Sequence, residues 1–340
     1  MAIKIDSKIL SVLKILFFLG IGLLLMWLVI KDITREEQVS IREAFHHANY
    51  LWLFPFMVFG LLSHISRAVR WRMLIVPLGY NPKLSNTFFA VMIGYLANLV
   101  LPRLGEVSRC GVLTKYEKIP FNESFGTVIA ERAIDMLIML LIFLITLFFQ
   151  MNKILGLAQE KIFNPLSRKM LLMASEQSIF LMGIFVILSL LSFWFLRKKG
   201  GNLILEKIRK LFIGFWNGLK TIKNIRNPFW FVFHSIFIWL MYCLMLQVSF
   251  YSFSETSHLS ISEGFTVFIF GSLGIIFVPG GIGAYHALVI DSLNIYDVPA
   301  HISFAFAWIA WTSQLFLFLF LGVLSLILIP IINKARNEQA

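Results

Sequence analysis

Long apolar runs dominate the chain, and its polar residues collect in the gaps between them. Six runs, at about 10 to 30, 50 to 72, 124 to 150, 178 to 196, 229 to 251 and 300 to 331, can cross about 30 Å of hydrocarbon at roughly 20 residues per span. Two more, about 84 to 118 and 262 to 296, are interrupted near the middle by LPRLGE (Leu101 to Glu106) and VPGGIG (Val278 to Gly283). Proline removes a rung of the helical ladder and glycine permits backbone that helices avoid. Lipid therefore cannot surround either break unless other protein satisfies its polar groups. The pattern predicts an all-α polytopic membrane protein, one integral membrane domain over 1–340, with about six full spans and two re-entrant broken-helix segments. The rival reading is eight kinked spans.

The totals point the same way. Of 340 residues 59% are apolar and 14% charged, and the mean hydropathy is +0.82, which excludes an ordinary soluble domain. The net charge of +12 sits in loops rather than over a surface, so anionic headgroups fit it before nucleic acid does. Residues 197 to 227 are rich in Lys and Arg and 252 to 262 have none, which places the first loop in the cytoplasm and the second outside. Threading from there puts both termini in the cytoplasm. The basic loop has an amphipathic stretch at 204 to 219, but an ordinary positive-inside loop explains it better. The stretch 151 to 177 reads only as external and partly helical. Lys4, Lys8 and Lys14 precede the run from Ile15 to Ile30 with no small-residue cleavage site after it, so this reads as a retained first span. Cys110 and Cys243 have no metal-like spacing and read as packing residues.

The two broken stretches occupy similar places in two triplets of apolar runs, 50–150 and 229–332, which the threading gives opposite topology. That spacing predicts an inverted repeat, a recurring transporter architecture in which discontinuous helices meet near the midplane.

Candidate chemistry gathers at the first break. Arg103, Glu106 and Arg109 are followed by Glu131, Arg132 and Asp135, and the 106/109 and 131/135 pairs each share a helix face. Three arginines and three acids sum to zero. An ionisable group at the bilayer centre costs about 2.5 to 3.5 kcal/mol on the insertion scale, so these six must pair or face water. They form either a neutral cluster pinning the break to the next span, or a polar cavity whose arginines hold an anionic headgroup. Arg67, Arg70 and Arg72 follow an apolar run and read first as snorkelling cations at the cytoplasmic interface and second as contacts to lipid phosphate. Asn98 is suited to satisfying backbone freed by the break.

At the second break, Pro279, Gly280, Gly281 and Gly283 precede a helical run whose N-terminus suits phosphate or carboxylate, although a tight turn needs the same glycines. His286 reads first as a packed residue and second as a proton carrier. No nucleotide-binding loop, and no trio of nucleophile, base and orienting group, is recognisable, so no cofactor is expected.

The run GYLANLVLPRLGEVSRCGVLTKYEKIPFNESFGTVIAERAIDM, with VPGGIGAY about 150 residues later, resembles the transmembrane domain of the lysylphosphatidylglycerol synthase and flippase family. The similarity spans essentially the whole chain and rests on Pro102, Gly105, Glu106, Arg109, Glu131, Arg132, Asp135 and the second glycine run. In bifunctional relatives this domain is associated with moving aminoacylated phospholipid between leaflets, and a separate soluble domain performs aminoacyl transfer. About ten residues follow the last span here, so the resemblance implies a translocator without synthase activity. Many relatives place an acid after the glycine run where this chain has His286, so no carboxylate role carries over there.

The expected function is therefore a flippase in a bacterial cytoplasmic (inner) membrane, moving an anionic or aminoacylated phospholipid or a polyprenyl-phosphate-type lipid. Its binding residues would be Arg103, Glu106, Arg109, Glu131, Arg132 and Asp135 facing Pro279, Gly280, Gly281, Gly283 and His286. The expected partners are membrane lipids and not nucleic acid; a homo-oligomer or an envelope-biogenesis partner stays open. Two rivals remain: a lipid-modifying enzyme using Glu131 and Asp135 as acid and base, and an accessory subunit of an envelope assembly.

Overall fold

The computed structural model describes residues 20, 23–31, 33–101, 103–158 and 225–337. The expected span at 178–196, residues 159–177, the basic loop to 224, most of the run before 23 and Pro102 lie outside the described residues. Among the described residues there are no strands. After a helical stretch at 23–30 come α1 (Arg35–His47), α2 (Leu53–Ile75), α3 (Leu84–Val100), α4 (Leu104–Glu117) and α5 (Phe121–Ala158). The later helices are α6 (Pro228–Ser249), α7 (Ile261–Phe277), α8 (Ala284–Asn294) and α9 (Ala300–Asn337). Four segments built on α2, α5, α6 and α9 are long and apolar enough to cross a membrane, matching four of the six expected spans. The protein is an all-α polytopic membrane protein.

Each broken stretch folds back as a helical hairpin, α3 against α4 and α7 against α8. α3 and α7 have 17 residues each, roughly 25 Å of helix and short of a full crossing. The first turn has Leu101 extended and Arg103 in the left-handed region at φ 66°. Gly105, by contrast, is helical and is needed for closeness. A Cβ there would collide with the Gly94 carbonyl oxygen and lie 2.6 Å from Asn98 Cγ. Asn98 Oδ1 accepts the Gly105 N–H at 2.7 Å, satisfying a donor at the helix start as expected. The second turn uses glycine for its backbone: Gly280, Gly281 and Gly283 have φ of 74°, 72° and 74°. Close approach there falls to Gly274, where a Cβ would lie 2.7 Å from Tyr285 Cα.

Capping boxes start two helices at polar residues, Thr34 with Glu37 at α1 and Ser260 with Glu263 at α7. α5 loses helical backbone at Gln150, whose amide donates to Ser262 Oγ at 3.0 Å and ties the end of that span to the start of α7.

The packing has a regular plan. α2 lies on α6; α3 packs on α9 as α7 packs on α5; α4 meets α5 as α8 meets α9. Exchanging α2, α3, α4 and α5 for α6, α7, α8 and α9 therefore maps these neighbours onto one another. Element ends follow the same shift: Leu84 corresponds to Ile261, Val100 to Phe277 and Glu117 to Asn294.

Candidate functional site

α2 is apolar overall, yet Arg67 and Arg70, one turn apart, are buried on one face with Ser63, His64, Ser66 and Trp71. They face α5, where Glu131 and Asp135 are also one turn apart. Arg67 Nη1 donates to Glu131 Oε1 at 2.8 Å and to Asp135 Oδ2 at 2.7 Å. Arg70 Nη2 donates to Asp135 Oδ1 at 2.7 Å and to Glu131 Oε1 at 3.3 Å, and its Nη1 to Ser235 Oγ at 3.4 Å on α6. From α4, Arg109 donates to the other oxygen of Glu131. The Arg109 guanidinium lies 3.9 Å from the centroid of the Trp71 ring, and Trp71 Nε1 is anchored on Thr127 Oγ1 at 2.9 Å. Four helices thus converge on two carboxylates.

Arg132 pairs with Glu106 at 3.3 Å, so the first hairpin is joined to α5 by two ion pairs, this one partly exposed. Arg109, Glu131, Arg132, Glu106 and Asp135 come together as expected. Arg103 does not: its backbone makes the turn, its side chain is exposed, and it forms no ion pair among the described residues. Arg67 and Arg70 take its place in the network, correcting the snorkelling reading for both. Arg72, half-buried and bonded to Asn81 Oδ1 at 2.7 Å, fits that reading better. The corrected set has four arginines against Glu106, Glu131 and Asp135. The cluster is not neutral but carries one positive charge in excess. The missed signal was a matched spacing, arginines at i and i+3 on one apolar helix opposite acids at i and i+4 on another.

Beside this network lies a cavity of about 600 Å³. Arg67, Arg132, Glu106 and Asp135 line its charged end, while Arg70, Arg109 and Glu131 sit behind the wall. Tyr95 and Tyr242 follow, with hydroxyls 3.3 Å apart. The remainder is mainly apolar and aromatic, with Asn98, Ser272 and Gln314 as its polar members, and reaches the second hairpin at Gly280 and Tyr285. Trp311 Nε1 donates to the Gly280 carbonyl at 2.9 Å, fixing that tip to α9. Gly281 and Gly283 shape the turn without lining the cavity, and the side chain of Pro279 is not described. His286 is buried behind the wall, its ring centroid 4.3 Å from that of Trp308 and 5.2 Å from that of Trp311, with neither nitrogen hydrogen-bonded. Among the described residues no three His, Cys, Asp or Glu side chains converge as metal ligands would.

The sequence profile described as the lysylphosphatidylglycerol synthase TM region matches residues 11–331. A UPF0104 membrane protein of Methanocaldococcus jannaschii is 26% identical over 263 residues, covering 73% of this chain and 76% of its own. No solved structure matches the chain. With a match over nearly its full length, the chain belongs to the lysylphosphatidylglycerol synthase transmembrane-region family.

Proposed function

We propose that the protein is a lipid translocator that carries an anionic headgroup, of a phospholipid or a polyprenyl-phosphate-type lipid, between leaflets. The observation that carries this reading is the cavity. It joins a charged end, backed by a network with one positive charge in excess, to a larger, mainly apolar and aromatic body, as a molecule with an ionic head and a hydrocarbon tail requires. Ionisable groups within membrane-spanning helices are expensive unless they serve each other or a pathway, and here they do both.

The exchange of packing neighbours supports a second part of the reading, that 50–150 and 229–332 are inverted repeats whose hairpins meet at the binding site. We place the protein in a bacterial inner membrane, and the distribution of Lys and Arg supports cytoplasmic termini there. The enzyme reading has less support, because Glu131 and Asp135 are each gripped by at least two guanidinium groups and neither is free to take a substrate proton.

Reconstitution into liposomes tests the proposal. Fluorescent phosphatidylglycerol or a polyprenyl phosphate, placed in one leaflet, becomes reducible from the other side faster with the protein than without it. Equal rates for every lipid tried overturn it.

A further inference from the structure

The packing plan creates two like seams, α3 on α9 and α7 on α5. They close to different degrees. Along the first, Asn86 and Asn333 exchange amide hydrogen bonds at 3.0 and 2.9 Å, and a Cβ on Gly322 would lie 2.7 Å from Leu96 Cβ. Tyr95 and Phe318, which line the cavity, stack across this seam with centroids 4.6 Å apart, so it is shut where it passes the cavity.

Along the second seam, Gln150 joins the end of α5 to Ser262 at the start of α7, and the two helices run back side by side from that join. Met136 and Ile276 each stand 14 residues from it (150 − 136 and 276 − 262), roughly 21 Å along either helix and so at one depth. Both line the cavity, and both are exposed, Met136 by 66% and Ile276 by 56%. Met139 and Ile275 line it beside them, which makes both rims apolar. The cavity thus reaches the molecular surface between α5 and α7. One turn before Met136, on the same face of α5, is Arg132, whose pair with Glu106 is the partly exposed one of the network.

The position of this mouth decides what lies outside it. Met136 is the central residue of the candidate span Phe121–Met151, as far from one end as from the other. An apolar rim at that depth faces hydrocarbon and not water. A water-soluble ligand would have to cross lipid to enter there, whereas the chains of a lipid already occupy that depth.

Resting on the translocator reading, we infer that the opening between α5 and α7 is a lateral portal filled by the hydrocarbon chains of the bound lipid. The headgroup passes sideways from the bilayer to Arg132, and its chains stay in the membrane between Met136 and Ile276.

The test uses the full chain in phosphatidylcholine nanodiscs with trace probes carrying a diazirine in the hydrocarbon chain: phosphatidylglycerol, a polyprenyl phosphate and, as control, phosphatidylcholine. Cross-linked residues are read by mass spectrometry. Phe316 on α9, 57% exposed and off the cavity, reports ordinary contact with bulk lipid. At least one anionic probe is expected to label Met136 and Ile276 about tenfold more than Phe316, while the phosphatidylcholine probe labels all three alike. Arg132→Gln removes that excess and leaves Phe316 labelling unchanged, the loss of one charge-assisted hydrogen bond to the headgroup. The same anionic probes are followed in the liposome transfer assay. A probe that is transferred yet labels Met136 and Ile276 no more than Phe316, or whose excess survives Arg132→Gln, overturns the portal and leaves a translocator. Absence of transfer for every probe overturns the translocator reading and the portal with it.

Discussion

Arg67 and Asp135 meet at 2.7 Å between α2 and α5, where the buried ion-pair network opens into the cavity. Both are almost fully enclosed, so removing either leaves the other with a single ion-pair partner, Asp135 with Arg70 or Arg67 with Glu131, and unbalances the buried network. Arg67→Met or Asp135→Leu alone is expected to cost about 3–5 kcal/mol, seen as a lowered unfolding midpoint in detergent. The double variant recovers part of that loss because no uncompensated charge remains from the pair. Lipid transfer stays absent in the double variant even where stability returns, which separates the two roles of the pair.

Arg103 tests the boundary of the site. It holds a left-handed backbone that glycine adopts freely, and its side chain touches no member of the network. Arg103→Gly is expected to leave the unfolding midpoint within about 1 kcal/mol of the parent and lipid transfer unchanged. Arg132→Gln, which removes a cation from the cavity wall, slows transfer. Equal slowing in both variants would return Arg103 to the site.

Much of this arrangement is written in the sequence, and the exceptions have a common cause. Breaks at Pro102 and at the second glycine run are local events, since proline and glycine act on their own backbone. The pairing of the first hairpin with α5 is also visible, because Arg109 and Glu131 are close in sequence and on exposed-looking polar turns. Arg67 and Arg70 are different: at the end of an apolar helix, a snorkelling arginine and a buried one have the same spacing. Their burial is decided by Glu131, Asp135 and Ser235, more than 60 positions away. Arg103 errs in the opposite direction, since composition alone cannot show that a residue in a motif supplies backbone and not side chain. Gly105 likewise reads as a breaker but serves as a close-packing residue inside α4.

The hairpin seam makes a comparison with an internal control. Gly105→Ala forces a methyl group into the Gly94 backbone and Asn98, and overpacking of this kind costs about 1–3 kcal/mol. Gly111 lies on the same helix with nothing within 4 Å of an added Cβ. Gly111→Ala should therefore be neutral or stabilise by about 0.5–1 kcal/mol. Unfolding midpoints of the two variants, measured side by side, check the prediction.

Acid should loosen α1 at its first turn. The Thr34 backbone N–H and hydroxyl both bond the Glu37 carboxylate, at 2.8 and 3.0 Å, and hold its pKa below the ordinary value. A lowered pKa means the cap is intact above the ordinary glutamate range and is lost as pH falls through the lowered value. Amide exchange at Thr34, corrected for intrinsic rates, is expected to accelerate as the pH drops below about 4. Glu37→Gln removes that dependence.

The two hairpins share a packing plan but differ in how they are fastened. The first is riveted to its neighbouring span by Arg109 with Glu131 and Arg132 with Glu106. The second is joined to α9 at its tip by the Trp311 indole on the Gly280 carbonyl, a neutral latch worth about 0.5–1.5 kcal/mol. The fastening at the first turn is thus ionic and that at the second tip neutral, so removing a charge loosens the one and leaves the other in place.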